Sequence, residues 1–406
     1  MIGIDPKKPI VTPVCIPNSW HEKWVKVMVG TVQTKIKYGT LHLKGGLKYL
    51  MKYNIFSINY FNKFSLFVLG YLFFTTTNYA QDMTATIKNG KFQNPIGSPV
   101  RGDNVKFSYT TFLKEKKKLK INIPNDHIID EKVAIKSLDQ NNDDYVMWIG
   151  HATFLIKLGE NIIITDPIFS KNAGPLMFGS HRFVKPAIPL KKIPETNLLL
   201  LTHNHYDHLD TRTLKKYPFK KTKVITPLKL KKYFSFRGFK DINELDWYET
   251  IQVNENLKIT LLPAVHWSKR TLFDTNKTLW GSFLIQYKNQ KILFACDTGS
   301  GNVYREIGDK FGPIDILFIN IGAYDFRPMF DKSIYHTTPE EAVEIGRDIK
   351  AKKIIGMHWG TFILSLEDPF EPPIRFKNAA ESYGFQKDDL VLFKIGELKK
   401  IQDILE

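Results

Sequence analysis

From residue 144 onward, short apolar runs alternate with Gly, Pro, Asn and Asp turns, the pattern of buried strands. Strands are predicted at Tyr145–Gly150, Thr153–Leu158 and Asn161–Thr165, with Gly159-Glu160-Asn161 turning the second into the third. Further strands are predicted at 197–202, 223–226, 246–253, 257–265, 279–287, 291–296, 314–322, 353–357 and 391–395. Helices are predicted at 130–138, 228–234, 303–310, 338–350 and 376–383. The helix at 338 has a complete start signal. Thr338 is its N-cap, Pro339 takes the first position, where a missing N–H costs nothing, and Glu341 completes a capping box. Hairpins dominate the first half, and strands alternate with helices in the second. That mixture predicts an α/β protein of layered sheets covered by helices. Residues 169–194 have no periodicity and read as a long loop, functional or mobile.

The N-terminal third is organised differently. Residues 1–50 show no repeat and no motif, and are expected to be a spurious or disordered leader. From Met51 a basic, polar stretch leads into the apolar run 64–74 and then to Ala80. That is the layout of a signal peptide cleaved after Ala80, with Met51 as the true start. The apolar run is too short to span a bilayer comfortably, although the uncharged stretch to Ala80 leaves a membrane anchor open. The expected location is therefore the periplasm or cell envelope, membrane-associated, with the cytoplasm as the alternative. Residues 81–140 are a Lys-rich lead-in, and 141–406 form the main folded domain. The two cysteines, Cys15 and Cys296, cannot form a disulfide framework, and Cys296 reads as a small buried residue at a strand end.

Composition narrows this only a little. A chain of 406 residues with 43% hydrophobic and 24% charged residues is globular and can bury a large core. Its net charge is +17, of which +8 falls in residues 1–80. Excess positive charge favours anionic partners, nucleic acid or an anionic membrane. Lysine runs such as 114–120 are otherwise ordinary solvated faces.

The chemistry is concentrated where the apolar run 197–201 ends. His203-Asn204-His205-Tyr206-Asp207-His208-Leu209-Asp210 carries the pattern H-x-H-x-D-H. Imidazole nitrogens and carboxylate oxygens suit a borderline ion such as zinc. His266, Asp297 and His358 each follow another predicted strand. Ligands delivered by several strand ends converge at one edge of packed sheets. Seven donors are too many for one tetrahedral ion. They suit two ions sharing a bridging carboxylate and a bridging water. The simplest assignment gives one ion His203, His205 and His266, the other Asp207, His208 and His358, with Asp297 as the bridge. Asp166 is expected to turn the chain or to support a ligand histidine through its second nitrogen. His151, in Gly150-His151-Ala152-Thr153, is a pocket wall or a donor orienting a ligand. Trp267 and Trp359, each beside a ligand, read first as packing.

With these motifs in hand, the chain resembles the metallo-β-lactamase fold superfamily, and more narrowly the N-acylphosphatidylethanolamine-hydrolysing phospholipase D family. The narrower likeness rests on W-I-G-H-A-T-F (148–154), T-D-P-I-F-S (165–170), H-N-H-Y-D-H-L-D (203–210), I-G-A-Y (321–324), P-E-E-A-V (339–343), H-W-G-T-F (358–362) and E-P-P (371–373). It spans about 140–400, and the region before 140 departs from the animal enzymes. The resemblance implies a four-layer αβ/βα sandwich and two Zn2+ ions. It implies hydrolysis of a glycerophospholipid phosphodiester to an N-acylethanolamine and phosphatidic acid, with Asp207, Asp297 and His336 as the catalytic set. It makes His336 a substrate-phosphate or proton-transfer candidate, and Tyr324 a substrate contact beside His151.

The metal cluster alone does not separate a phosphodiester from a lactone, thioester or lactam. A hydrolase of a soluble phosphodiester or lactone therefore remains the alternative, and a metal- and lipid-binding protein without turnover the third reading. The partners expected are the phospholipid substrate, a peripheral membrane surface and a second copy in a homodimer, with no nucleic acid. For the membrane, the aromatic and basic loops 169–185 and 267–280 are the expected contact, including Phe169, Lys171, Met177, Phe178, Arg182, Phe183, Lys185, Leu272 and Phe273.

Overall fold

The computed structural model describes residues 84–406 apart from 101–106, 176–177, 296 and 331, all within the unit Thr76–Glu406. The expected leader, the signal segment with its cleavage point, Met177 and Cys296 lie outside the described residues.

The apolar runs become strands of two large sheets. In chain order, β1 (Tyr145–Gly150), β2 (Thr153–Leu158), β3 (Asn161–Thr165), β4 (Leu198–Leu200), β5 (Lys223–Pro227) and β6 (Ile242–Leu245) belong to the first. The second holds β7 (Thr250–Asn254), β8 (Leu257–Leu262), β9 (Ser282–Tyr287), β10 (Gln290–Phe294), β11 (Ile314–Asn320), β12 (Ala351–Met357) and β13 (Leu390–Val391). A last strand, β14 (Leu398–Lys400), returns to the first sheet and pairs antiparallel with β1. The spatial orders are β6-β5-β4-β3-β2-β1-β14 and β7-β8-β9-β10-β11-β12-β13.

Each sheet is antiparallel on one side and parallel on the other. β3 to β6 run parallel in the first sheet, and β10 to β13 in the second. Parallel neighbours require crossovers, and these carry the helices. α3 (Thr211–Lys216) and α4 (Lys231–Ser235) follow β4 and β5. α5 (Val303–Phe311), α6 (Pro339–Asp348) and α7 (Glu371–Ala379) follow β10, β11 and β12. The inner faces of the sheets meet in one core. The Phe154 ring on β2 lies 4.9 Å from Phe318 on β11, edge to face, and 6.3 Å from Phe294 on β10. Burying a side chain of this size contributes roughly 1.5–3 kcal/mol. The result is the αβ/βα sandwich. β1, β4 and β11 are buried at nearly every position, which is why they read as unbroken apolar runs rather than alternating ones.

The lead-in also folds: α1 (Tyr109–Lys116) and α2 (Glu131–Gln140) lie in it, the second with Asp130 as N-cap, one residue from expectation. The capping box of α6 forms as predicted. Three predictions are corrected. The strand expected at 391–395 stops at Val391; the chain then turns at Gly396 (φ 91°) into β14 and the short α8 (Ile401–Leu405). The helix expected at 376–383 begins at Glu371, because Pro372 and Pro373 sit in its first turn, where no N–H is needed. The strand expected at 246–253 is shortened to β7, which starts only at Thr250, and β6 before it was not expected.

Candidate metal centre

The chemical residues all sit at one edge, beyond the carboxyl ends of the strands. The loop after β4 carries His203, His205, Asp207 and His208, and Asp210 closes it as N-cap of α3, accepting from Arg212 N (3.1 Å). His266 follows β8, Asp297 follows β10 and His358 follows β12. Two of the backbone positions needed are unusual for non-glycine residues: His151 has φ 58° and His358 φ 66°. Fixed strands hold both. His358 N donates to His151 O (3.3 Å), Trp148 Nε1 to the same carbonyl (2.8 Å), and His151 N to Thr361 Oγ1 (3.1 Å).

Two groups of donors result. His203 Nε2 and His266 Nε2 lie 2.9 and 3.2 Å from His205 Nδ1. On the other side, Asp207 Oδ2 is 3.4 Å from His208 Nε2 and 3.2 Å from His358 Nε2. Asp297 Oδ2 lies between the groups, 3.0 Å from His208, 3.2 Å from His358, and 4.0 Å from both His203 and His266. The seven residues singled out as ligands are thus brought together, with Asp297 at their centre.

The donor set suits metal ions. Neither Asp207 nor Asp297 meets a Lys or Arg among the described residues, and Asp297 Oδ1 is buried without a hydrogen-bond partner. Buried carboxylates in such a place require a cation. Burial raises both carboxyls, but the surrounding imidazoles outweigh it and hold them well below the usual carboxylate range. Burial, then neighbouring imidazoles, pushes His203 and His266 well below the ordinary histidine value. They stay neutral, the form that binds a metal. Burial lowers His358 too, but the two carboxylates overcome this and raise it to about 9. A cation, proton or metal, is favoured at that nitrogen.

Three of these candidate ligand histidines are fixed through their other nitrogen. His208 Nδ1 faces Asp166 Oδ2 (2.7 Å), and His266 Nδ1 faces Tyr335 O (3.0 Å). His203 Nδ1 faces Thr202 Oγ1 (3.0 Å), whose own hydrogen goes to Asp166 Oδ2 (2.6 Å). Thr202 N donates to Asp166 Oδ1 (2.8 Å). Asp166, placed at the end of β3 with φ 32°, therefore orients a histidine of each group. Asp166→Ala should weaken metal binding by roughly 10- to 100-fold, measured by competition with a chelating dye. Unchanged affinity would refute this role.

A family model described as a beta-lactamase superfamily domain matches residues 161–359. N-acyl-phosphatidylethanolamine-hydrolyzing phospholipase D 1 of Caenorhabditis elegans is 30% identical over 344 residues, covering 80% of this chain and 96% of that protein. The chain belongs to the N-acylphosphatidylethanolamine-hydrolysing phospholipase D family of the metallo-β-lactamase superfamily. The mitochondrial N-acyl-phosphatidylethanolamine-hydrolyzing phospholipase D of Saccharomyces cerevisiae is 33% identical over 270 residues, covering 64% of this chain and 57% of the yeast protein. The fold is shared with isothiocyanate hydrolase from Delia radicum gut bacteria (TM-score 0.52, 18% identity, 63% of this chain and 98% of that one).

Within this metal-dependent hydrolase the remaining candidates take definite places. His336 lines the site with Nε2 3.9 Å from Asp297 Oδ2, and burial pulls it down to about 4. His151 is buried with Nε2 2.9 Å from Asp207 Oδ2, behind that carboxylate. Tyr324 is buried and its hydroxyl meets Arg375 Nη1 (3.2 Å); Ala323, not Tyr324, lines the cavity. Trp267 packs on His205 (4.5 Å between ring centroids), and Trp359 on Trp148 (5.3 Å). Arg182 is engaged internally, donating to Ser170 O and Ile168 O (2.8 Å each) and lying over Phe362.

Three supporting residues in the lead-in had no motif to reveal them. Asn94 Oδ1 accepts from His266 N (2.9 Å), and His127 Nε2 lies 2.9 Å from Gly360 O. Gly360 has φ 63°, and a Cβ there would meet the His127 ring at 2.7 Å. Lys116 on α1 donates to Ile363 O (2.7 Å). Arg270 Nη1 donates to Asn204 O (2.8 Å) and Leu209 O (2.7 Å), closing the ligand loop from the other side. Among the described residues no helix is long and apolar enough to cross a membrane.

Proposed function

We propose that this hydrolase binds two zinc ions and cleaves the phosphodiester of N-acylphosphatidylethanolamine-type phospholipids, releasing an N-acylethanolamine and phosphatidic acid. The observation that carries the reading is the shape of the site's opening. A cavity of about 500 Å³ joins the ligand edge (His205, Asp207, Asp297, His336) to an apolar wall of Ala173, Trp267, Leu272, Ala323, Phe326 and Leu364. Phe326 continues the wall outward, with Phe330 at 4.9 Å and Phe107 and Phe112 each at 6.3 Å between centroids. A contiguous apolar surface beside a charged centre suits acyl chains better than a soluble substrate. The names of the two relatives point the same way.

When bound, the ions would activate water at neutral pH and neutralise charge on the oxygens of the transferring phosphoryl group. His203, His205 and His266 would hold one ion, Asp207, His208 and His358 the other, and Asp297 both. His336, neutral at physiological pH, faces the same space with Nε2 and would donate a hydrogen bond from that atom to a phosphate oxygen. Lys269 lines the same mouth and adds positive charge for the phosphate. Trp267 and Phe326 line the cavity and would limit water around a bound substrate.

The test is direct. Zinc-loaded protein is incubated with mixed vesicles containing N-acylphosphatidylethanolamine, and N-acylethanolamine is followed by mass spectrometry. Release that depends on zinc is expected. Turnover of a soluble phosphodiester or lactone without any release from vesicles would overturn the lipid assignment.

A further inference from the structure

Residues 211–240 contain eleven Lys or Arg and no Asp or Glu. Runs of charge usually mix signs on a solvated face, so a stretch of this length with a single sign needs a reason. The fold gathers the stretch on one side. It holds the two consecutive crossovers β4-α3-β5 and β5-α4-β6, and the three strands are parallel and adjacent in that order. Right-handed crossovers advancing in one direction put both helices on the same face of the sheet. Arg237 Nε donates to Thr211 O (2.9 Å) and ties the end of α4 to the start of α3.

The charge on this face is largely uncompensated. Lys223 pairs with Asp241 (3.1 Å) and Arg212 with Asp210 (3.7 Å). Lys215, Lys216, Lys221, Lys231, Lys232 and Lys240 are exposed, and none forms an ion pair among the described residues. Phe236 stands among them at the end of α4 with 85% of its surface exposed.

The face runs up to the cavity at two points. Arg212 Nη1 donates to Asn172 Oδ1 (3.0 Å), next to Ala173 in the cavity wall. The Tyr233 ring of α4 lies 5.6 Å from the guanidinium of Arg270, which also lines the cavity. The loop that carries Arg270 ends in Leu272 and Phe273, each 82% exposed.

We infer that the α3–α4 face is a docking surface for an anionic lipid bilayer, seated beside the mouth of the active site. Lysines would meet acidic headgroups, and Phe236, Leu272 and Phe273 would enter the interfacial layer. Nucleic acid shares the charge preference, but exposed Leu272 at the mouth of the cavity offers no base stacking and favours a lipid surface. The crossover helices would join the expected membrane loops: in loop 267–280 Leu272 and Phe273 are exposed, and in loop 169–185 Phe178 is exposed while Arg182 is engaged internally.

The test needs no substrate, so docking and turnover can fail independently. Full-length, metal-replete protein is sedimented with vesicles of phosphatidylcholine alone or with about one third phosphatidylglycerol. Binding to the anionic vesicles only, weakened by salt, is expected. Lys215→Glu, Lys216→Glu, Lys231→Glu and Lys232→Glu, combined, should weaken binding by roughly 100-fold or more at low salt. The variant's melting temperature and metal content should match the parent's, which reports its folding; the combined Lys→Gln form serves if the Glu form is unstable. Three results would overturn the inference. They are equal binding to neutral vesicles, unchanged binding by the variant, and tighter binding of the parent protein to an oligonucleotide than to anionic vesicles.

Discussion

Asp297→Asn should abolish turnover and strip metal from both positions at once. Among the described residues its Oδ2 is the one carboxylate oxygen within 3.0–4.0 Å of nitrogens from both histidine groups. Loss of a partner that only orients a ligand costs roughly 10- to 100-fold in metal affinity or activity, and loss of a group shared by two ions should exceed that range. Elemental analysis of the purified variant should find well under the parent's metal content, and activity should fall in proportion. A variant with full metal and full activity would refute the bridging assignment.

Chelation should produce the second large effect. A ligand at a thousand times its dissociation constant stabilises the folded state by about 4 kcal/mol. For a chain of this size, removing that contribution should lower Tm by roughly 5–15 °C. EDTA should therefore abolish activity and shift the melting curve together, and stoichiometric zinc should restore both. Because His358 is held near 9 without metal, rebinding at pH 7–8 should release protons, which weakly buffered solution can register. Activity that persists in protein shown to be metal-free would contradict a metal-dependent mechanism.

The cluster of candidate ligands was legible in the sequence because its residues directly follow apolar strands. A strand in a two-faced sheet must be apolar throughout, so a histidine or aspartate at its end stands out. The helix at 338 was legible for a similar reason: Thr338, Pro339 and Glu341 act on their own backbone within one turn. β6 and β14 were not legible. Both are short, partly exposed edge strands, and only pairing with β5 and β1 makes them strands. The lead-in supports Asn94, Lys116 and His127 were hidden as well, since each acts across 172 or more residues of chain.

The sequence by itself therefore determined the candidate metal-binding residues, the α/β class and the positions of the central strands along the chain. These depend on local periodicity and on residue types at strand ends. Only the tertiary structure decided three further points. Asp297 lies between the two histidine groups, one aspartate supports a histidine of each group, and the basic crossovers share a face beside the cavity. Each is a distance between segments far apart in the chain, set by sheet order and crossover hand, and such distances leave no mark on neighbouring residues.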